Sequence, residues 1–186
     1  MVRFHPDRSP SCMRNMRISI RPEKPSDADA VCAVLEAAFP TKTESRLVNL
    51  LREHGKAQVS LVAEVDGKVV GHILFSPVSA DSPAGTVWGT GLAPIAVLPS
   101  RQRQGIGKRL MEEGLAACRR AGFAFAVVLG DPEYYHRSGF ERAGRYGLRN
   151  EYGVDEEFMA LELRPGGLPN GGGLVKYAPE FAQLST

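Results

Sequence analysis

A short glycine turn between an apolar run and an amphipathic segment constrains this chain more than any other feature. The turn spans residues 102–108 and reads Gln-Arg-Gln-Gly-Ile-Gly-Lys. Glycine at 105 and 107 lets the backbone approach a ligand closely. Because the turn opens a helix, it also offers unpaired N–H groups and the positive end of the helix dipole. The turn therefore predicts an anion site of the kind that holds phosphates.

The glycine turn alone leaves the ligand open, since Gly-x-Gly at a helix start also occurs in ordinary tight turns. A Walker loop is excluded because its first glycine and its Lys-Ser/Thr ending are missing. The dinucleotide fingerprint is excluded as well, because its third glycine would fall near Leu110. Motifs elsewhere in the sequence are therefore needed to identify the phosphate compound.

Hydrophobic periodicity places strands and helices around the turn. A Ser/Pro/Gly-rich loop is predicted over residues 77–85, and Ser26 and the segment 41–44 read as helix N-caps. Val175 and Tyr177 are candidates for a small edge strand. The predicted strands cover 18–20, 59–65, 68–75, about 87–97, 123–129 and 158–163, and the predicted helices cover 26–39, 41–55, 105–120 and 132–138.

Length and composition favour one globular domain. The chain has 186 residues, of which 43% are hydrophobic and 24% charged, both near the globular average. We predict a flexible leader over 1–15, one folded domain over 16–164 and a Gly-rich C-terminal extension over 165–186 that packs on the domain. Met1, Met13 and Met16 are alternative starts.

Charge and cysteine usage exclude several functional classes. A net charge of +2 is too small to predict a nucleic-acid or membrane surface, and no apolar run has the length of a membrane span. The three cysteines form no CxxC pair, and the four histidines show no metal-ligand spacing. We therefore expect no metal, no nucleic-acid partner, no membrane partner and a cytoplasmic location.

Two motifs in order identify a family resemblance. The segment from Leu92 to Pro99, followed by Gln102-x-x-Gly105-x-Gly107, closely resembles motif A of the GCN5-related N-acetyltransferase (GNAT) superfamily. Residues 135–140, Tyr-His-Arg-Ser-Gly-Phe, are similar to its Y-x-x-x-G-F motif. The resemblance covers about residues 17–164 and is closer still to small bacterial GNATs with Val-Leu-Gly-Asp-Pro-x-Tyr-Tyr before Gly-Phe.

The resemblance implies an α/β (α+β) GNAT fold. Its central sheet is mixed and mostly antiparallel, with six or seven strands splayed at the fourth, flanked by about four helices. Pro94 supports this splay independently of the resemblance. Proline has no N–H to donate, so it predicts a bulge or break in its strand.

The resemblance also implies acetyl-CoA as cosubstrate. The backbone of Ile95 and Val97 would pair with the pantetheine arm, and an N–H of the same region would meet the thioester carbonyl. The amides from Arg103 through Lys108 would hold the pyrophosphate. The side chains of Arg101, Arg103 and Lys108 are equally consistent with contacts to the outer phosphates and with a solvated face. The candidate cofactor-binding residues are Ile95, Ala96, Val97, Gln102, Arg103, Gln104, Gly105, Ile106, Gly107, Lys108, Leu129, Gly130 and Tyr135.

Tyr135 is the candidate general acid. The thiolate of CoA leaves when an amine attacks, and a phenol within hydrogen-bond reach can give it a proton. The alternatives are that Tyr135 packs, or that it donates a hydrogen bond to sulfur without proton transfer. Tyr134 occupies a place where the family often has an aromatic core residue, so we predict a structural role for it.

The general base has two candidates, Glu44 and His72. Each has a simpler interpretation, because Glu44 fits a helix cap and His72 fits a packed strand residue. Ordered water is a third possibility in GNAT enzymes.

These observations predict an N-acetyltransferase that moves an acetyl group from acetyl-CoA to a primary amine directly, in a ternary complex of a monomer or homodimer. No cysteine lies in the motif, so a covalent acyl-enzyme is disfavoured. Transfer of a longer acyl chain, transfer to a hydroxyl, and a non-catalytic acyl-CoA-binding or regulatory module are the alternatives. An unrelated nucleotide-binding domain does not account for the motif at Tyr135.

Overall fold

Near-continuous apolar runs form the middle of one mixed sheet in the computed structural model, which describes residues 17–184. The predicted leader and the alternative start residues lie outside this range. The strands are β1 (Ile18–Pro22), β2 (Val59–Val65), β3 (Lys68–Ser82), β4 (Gly85–Val97), β5 (Phe125–Leu129), β6 (Glu141–Arg142), β7 (Leu148–Asn150), β8 (Phe158–Glu162) and β9 (Gly173–Lys176). The helices are α1 (Ala28–Ala38), α2 (Thr43–Glu53), α3 (Ile106–Arg120) and α4 (Pro132–His136), with 3-10 turns at Pro25–Asp27, Pro99–Arg101, Ala143–Tyr146 and Pro179–Leu184.

The sheet follows the order β1-β2-β3-β4-β5-β8-β6, with β9 pairing to both β3 and β7. Only the β4–β5 and β7–β9 pairs are parallel. The predicted fold class is confirmed, and the described chain carries nine strands where six or seven were expected. The additional strands are short and form by pairing with distant segments.

The two faces of the sheet are covered differently. On one face α3 buries Ile106, Leu110 and Met111 against the central strands. On the other face α1 and α2 cover the first half of the sheet, and the segments around β7 and β9 cover the second half. Both faces of β5 are therefore buried, as its all-apolar sequence predicts.

A bulge in β4 sits at the predicted position. Ile95 pairs with Ile73 and Leu92 pairs with Phe75, so Ala93 and Pro94 together stand opposite Leu74. This confirms the bulge predicted from Pro94. Pairing of β4 with β5 runs only from Thr90 to Leu92, and the two strands separate beyond it. We call this divergence of β4 and β5 the fork.

The loop predicted over 77–85 was wrong. β3 continues to Ser82 and pairs with β4 from Gly85 onwards, leaving a tight turn between them. Pro77 is tolerated because β2 pairing ends at Phe75 and β9 pairing begins at Ser79, so no partner on that edge needs an N–H from it. The predicted C-terminal strand is present over β9, which includes Val175 and ends just before Tyr177.

Both predicted N-caps were also wrong. A 3-10 turn precedes α1, and the carboxylate of Asp27 rather than Ser26 accepts the Lys24 N–H, at 2.7 Å. At the start of α2 the N-cap position is Lys42, whose side chain forms no cap, while Thr41 Oγ1 accepts the Thr43 N–H at 3.4 Å. Several short polar side chains near a helix start can accept its free backbone N–H groups. The local path of the chain determines which of them lies within hydrogen-bond distance.

None of the helices in the described part is long and apolar enough to cross a membrane. Within residues 17–184, no group of three or more His, Cys, Asp or Glu side chains is placed to hold a metal ion.

Candidate active site

The glycine turn links the end of β4 to α3. Gly105 is the N-cap of α3 with a φ of 79°, a left-handed conformation that glycine adopts without strain. Gln102 Nε2 donates to the carbonyl of Val97 at 3.1 Å and fixes the start of the turn. The first turn of a helix has no preceding carbonyls to bond, so the N–H groups of residues 106–108 point out of its end. These N–H groups lie where the sequence predicts an anion site.

A cleft of about 500 Å³ opens between this turn and the free edge of β4. Nine of the predicted cofactor-binding residues line it, together with Arg101, Tyr134 and Arg137: Ile95, Ala96, Val97, Gln102, Arg103, Gly105, Ile106, Gly107 and Lys108. Gln104, Leu129, Gly130 and Tyr135 do not line this cleft among the described residues. The structure thus brings most of the predicted set together around one space.

A second cavity, of about 670 Å³, continues along the side of α3. It shares Lys108, Tyr134 and Arg137 with the first cleft and adds Arg119. Among the described residues of the two linings, cationic side chains outnumber the one carboxylate, that of Glu112, which lies 3.8 Å from Lys108 Nζ. The Lys108 side chain is 78% exposed. Such a lining favours a ligand that carries several phosphates.

The tyrosine pair at the start of α4 departs from expectation. Tyr134 is 39% exposed and lines both cavities, so its predicted role as a core residue was wrong. Its hydroxyl lies 3.0 Å from where a Cβ on Gly107 would stand. Tyr135 is the buried one, 9% exposed, and packs edge-on against Tyr134 and Phe140. In a five-residue helix, adjacent side chains point in different directions, so one faces the cleft and the other the core.

Tyr135 nevertheless reaches the fork. The backbone of Gly130, directly after β5, lets the ring approach so closely that a Cβ there would stand 2.5 Å from Tyr135 Cε2. Burial, followed by the neighbouring Tyr134 and Asp131, raises the pKa of Tyr135 to about 12. The phenol therefore stays protonated at neutral pH, so it has a proton with which to donate a hydrogen bond.

His72 lies in β3 opposite Ala96 and is fully buried. Its Nε2 is 2.9 Å from Ser60 Oγ and 3.3 Å from Glu23 Oε2, while Nδ1 has no partner in the described chain. Burial lowers the pKa of His72, which keeps the ring neutral. Neither His72 nor Glu44 is among the described residues that line the cleft.

Glu44 stands in the first turn of α2 without the capping interaction that we expected of it. Its Oε2 atom is buried and has no hydrogen-bond partner among residues 17–184. Glu44 and His72 both remain candidates from the sequence alone.

Sequence reasoning missed Arg137 and Tyr134 as cleft residues. Arg137 lies inside the Y-x-x-x-G-F motif, but the motif does not show that its side chain faces the cleft. The available signal was an aromatic and a basic side chain, five and two residues before Gly139, which follows the short helix α4.

Comparison with known proteins gives consistent matches. The family model for the acetyltransferase (GNAT) domain matches residues 19–143. The N-acetyltransferase YhbS of Escherichia coli K12 is 38% identical over 164 residues, covering 87% of this chain and 97% of its own. The N-acetyltransferase YjhQ of the same organism is 39% identical over 142 residues, covering 73% and 76%.

Solved structures show the same likeness. The crystal structure of Escherichia coli YhbS in complex with CoA superposes with a TM-score of 0.84, at 36% identity and 96% coverage of both chains. A GNAT family acetyltransferase from Brucella melitensis in complex with acetyl-CoA has a TM-score of 0.73, at 39% identity, covering 89% of this chain and 98% of its own.

Proposed function

Because the chain belongs to the GNAT family of acetyltransferases, we propose that it moves an acetyl group from acetyl-CoA to a primary amine by direct transfer. The observation that carries the proposal is the geometry of one cleft. An unpaired strand edge, Ile95 to Val97, forms one wall, and a helix N-terminus closes its end. An extended amide-containing arm with a pyrophosphate at its far end fits both features.

The donor half of the reaction follows from these features. The pantetheine amides pair with the backbone of Ile95 and Val97, and the pyrophosphate accepts hydrogen bonds from the N–H groups after Gly105. Lys108, Arg103 and Arg137 surround the outer phosphates. With the phosphates at the turn, the thioester points back along β4 toward the fork.

The transfer itself needs a neutral amine. Its nitrogen attacks the thioester carbonyl carbon, the C–N bond forms, the C–S bond breaks, and CoA leaves as the thiolate. The nitrogen proton passes to water or to a base, and the sulfur is stabilised or protonated. A backbone N–H of the bulged part of β4 meets the carbonyl oxygen as negative charge develops on it.

Tyr135 is the group that acts on the departing sulfur. An alkyl thiol has a pKa of about 8.5, so complete proton transfer from a phenol whose pKa is raised to about 12 runs uphill. The raised pKa of Tyr135 therefore favours a hydrogen bond to the sulfur over full protonation, one of the alternatives that the sequence left open. Either role requires the hydroxyl.

The first prediction is that acetyl-CoA binds and stabilises the protein. At a concentration about 100 times its Kd, a ligand of the folded state adds roughly 2.7 kcal/mol. For a chain of this size we expect Tm to rise by roughly 5–10 °C, measured by differential scanning fluorimetry. Adenosine at the same concentration is the control, since it lacks the phosphates and the arm. Equal shifts with both compounds would contradict the cleft assignment.

Release of free thiol across a panel of primary amines then separates an enzyme from a binding module. Acetyl-CoA that binds but releases no thiol with any amine would favour the non-catalytic alternative. Thiol release with longer acyl-CoA donors, faster than with acetyl-CoA, would favour a different acyl group.

The second prediction concerns the phosphate end of the cleft. Gly107→Asp places a carboxylate in the first turn of α3, where negative charge stabilises a helix but repels a phosphate. We expect acetyl-CoA binding to weaken by at least about 100-fold, since one charge repulsion in a cleft amounts to a few kcal/mol. The unliganded Tm should not fall.

Gly107→Ala is the matched control for the added side chain. A Cβ at this position meets only side chains, the Tyr134 hydroxyl at 3.0 Å and Val97 Cγ2 at 3.8 Å, and the tip of Tyr134 can move. The effect of Ala on binding should therefore be much smaller than that of Asp. Isothermal titration calorimetry with acetyl-CoA gives both numbers. Similar losses for Ala and Asp would show that space rather than charge matters there.

A further inference from the structure

The C-terminal segment buries a hydroxyl with nothing to bond. Tyr177 follows β9 directly and is only 8% exposed. Its hydroxyl has no hydrogen-bond partner among the residues that the structure describes. A buried polar group without a partner destabilises a fold, and in native proteins such a group calls for an explanation. One explanation is that a bound substrate supplies the missing hydrogen-bond partner.

Tyr177 stands at the root of the fork. Its ring edge lies against Gly91, with Cε1 2.9 Å from where a Cβ on that residue would stand. Gly91 pairs with Val127, one step before the last β4–β5 pair between Leu92 and Val128. The ring therefore reaches the sheet at the point where β4 and β5 begin to separate.

Two tyrosines approach the fork from opposite faces. Tyr135 belongs to the core on the α3 face, and Tyr177 belongs to the core on the other face, where Leu129 packs as well. Burial raises the pKa of Tyr177 strongly, and the phenols of Tyr152 and Tyr135 and the carboxylate of Glu151 raise it further. Like Tyr135, it is a donor at neutral pH.

The position of Tyr177 is held from several sides. Its backbone N–H donates to Glu151 Oε1 at 2.8 Å. Its ring packs against Phe181 and Tyr152, with centroids 5.2 Å and 5.8 Å away. A donor held in this way is oriented before substrate arrives, which is what stabilisation of a developing charge requires.

This inference rests on the proposed function, which directs the thioester from the glycine turn along β4 toward the fork. We propose that the Tyr177 hydroxyl donates a hydrogen bond to the carbonyl oxygen of the bound acyl thioester. It would be the second donor to that oxygen, beside the backbone N–H of β4. Negative charge grows on the same oxygen as the amine attacks, so the bond strengthens in the transition state.

The test compares CoA with acetyl-CoA, which differ only in the acyl group, and needs no knowledge of the amine. Isothermal titration calorimetry measures both on the wild-type protein and on Tyr177→Phe. We expect the variant to bind acetyl-CoA about fivefold to tenfold more weakly, the loss of one hydrogen bond, and to bind CoA as the wild type does. Its unliganded Tm should stay or rise, because an unpartnered hydroxyl has been removed.

Tyr152→Phe is the matched control, because this neighbouring ring is exposed and should leave both affinities unchanged. If the wild type binds both compounds and Tyr177→Phe has unchanged affinities, the role of Tyr177 is overturned while the proposed function stands. Equal weakening of CoA and acetyl-CoA would also overturn it, since the effect would not depend on the carbonyl. If neither compound binds the wild type, the proposed function itself fails and this inference with it.

Discussion

Replacing Tyr135 with phenylalanine is expected to lower the turnover number by at least about 100-fold, the usual contribution of a positioned proton or hydrogen-bond donor. The ring sits in the core beside Gly130, and Phe keeps its packing, so the fold should be unaffected. Acetyl-CoA affinity should change by less than about threefold, because the hydroxyl acts on sulfur only as the C–S bond breaks. The loss should therefore appear in kcat and not in KM.

The measurement is steady-state thiol release with acetyl-CoA and whichever amine of the panel is accepted. Tyr134→Phe is the matched control, since it removes the same atom from the adjacent residue, which lines the cleft. We expect Tyr134→Phe to act on acetyl-CoA affinity and to leave kcat within about threefold of the wild type. Collapse of kcat in Tyr134→Phe instead would assign the chemistry to the exposed tyrosine.

The shape of the candidate cleft could be predicted because it is encoded locally. Pro94 cannot donate to a ladder, glycine at 105 permits a left-handed turn, and the helix that follows supplies its own N–H groups. Each of these properties belongs to a few consecutive residues. The sequence pattern therefore predicted the bulge, the turn and most of the cleft lining correctly.

The features that depend on distant segments could not be predicted in this way. The composition around Pro77 predicts a loop, but this segment is part of β3 because β4 pairs along one edge of it and β9 pairs with part of the other. The sequence predicts a small edge strand at Val175 and Tyr177, but the contact of Tyr177 with Gly91 depends on where β9 pairs. Nor does a five-residue helix show by periodicity which of two adjacent tyrosines faces the core.

His72 illustrates the same limit inside the core. Its strand position was evident, but its partner Glu23 lies 49 residues earlier, just after β1. The Glu23 carboxylate accepts from Arg52 Nη2 at 2.5 Å and from the Ser60 hydroxyl. Although burial raises the pKa of Glu23, the hydrogen bonds from His72 and Ser60, followed by nearby positive charge, lower it overall. An ionised carboxylate thus organises this buried cluster.

Removing that carboxylate should therefore destabilise the fold by far more than a surface ion pair would. Glu23→Ala leaves Arg52, Ser60 and His72 without their shared acceptor in a site where the Glu23 side chain is 7% exposed. Breaking a buried pair from one side typically costs about 3–5 kcal/mol, and we expect about 3 because Arg52 keeps some contact with water. Urea unfolding at pH 7 measures the loss as a lower midpoint at an unchanged slope.

Glu64→Ala is the control that separates burial from charge. Glu64 pairs with Arg21 at 2.8 Å, but its side chain is 28% exposed, so water can replace the lost partner. Its removal should lower the free energy of unfolding by no more than about 1 kcal/mol. Comparable losses for the two variants would mean that Glu23 contributes only as an ordinary ion pair. A large difference would mean that the shared, buried carboxylate holds α2, β2 and β3 together. His72 of this cluster pairs with Ala96, on the strand that lines the cleft.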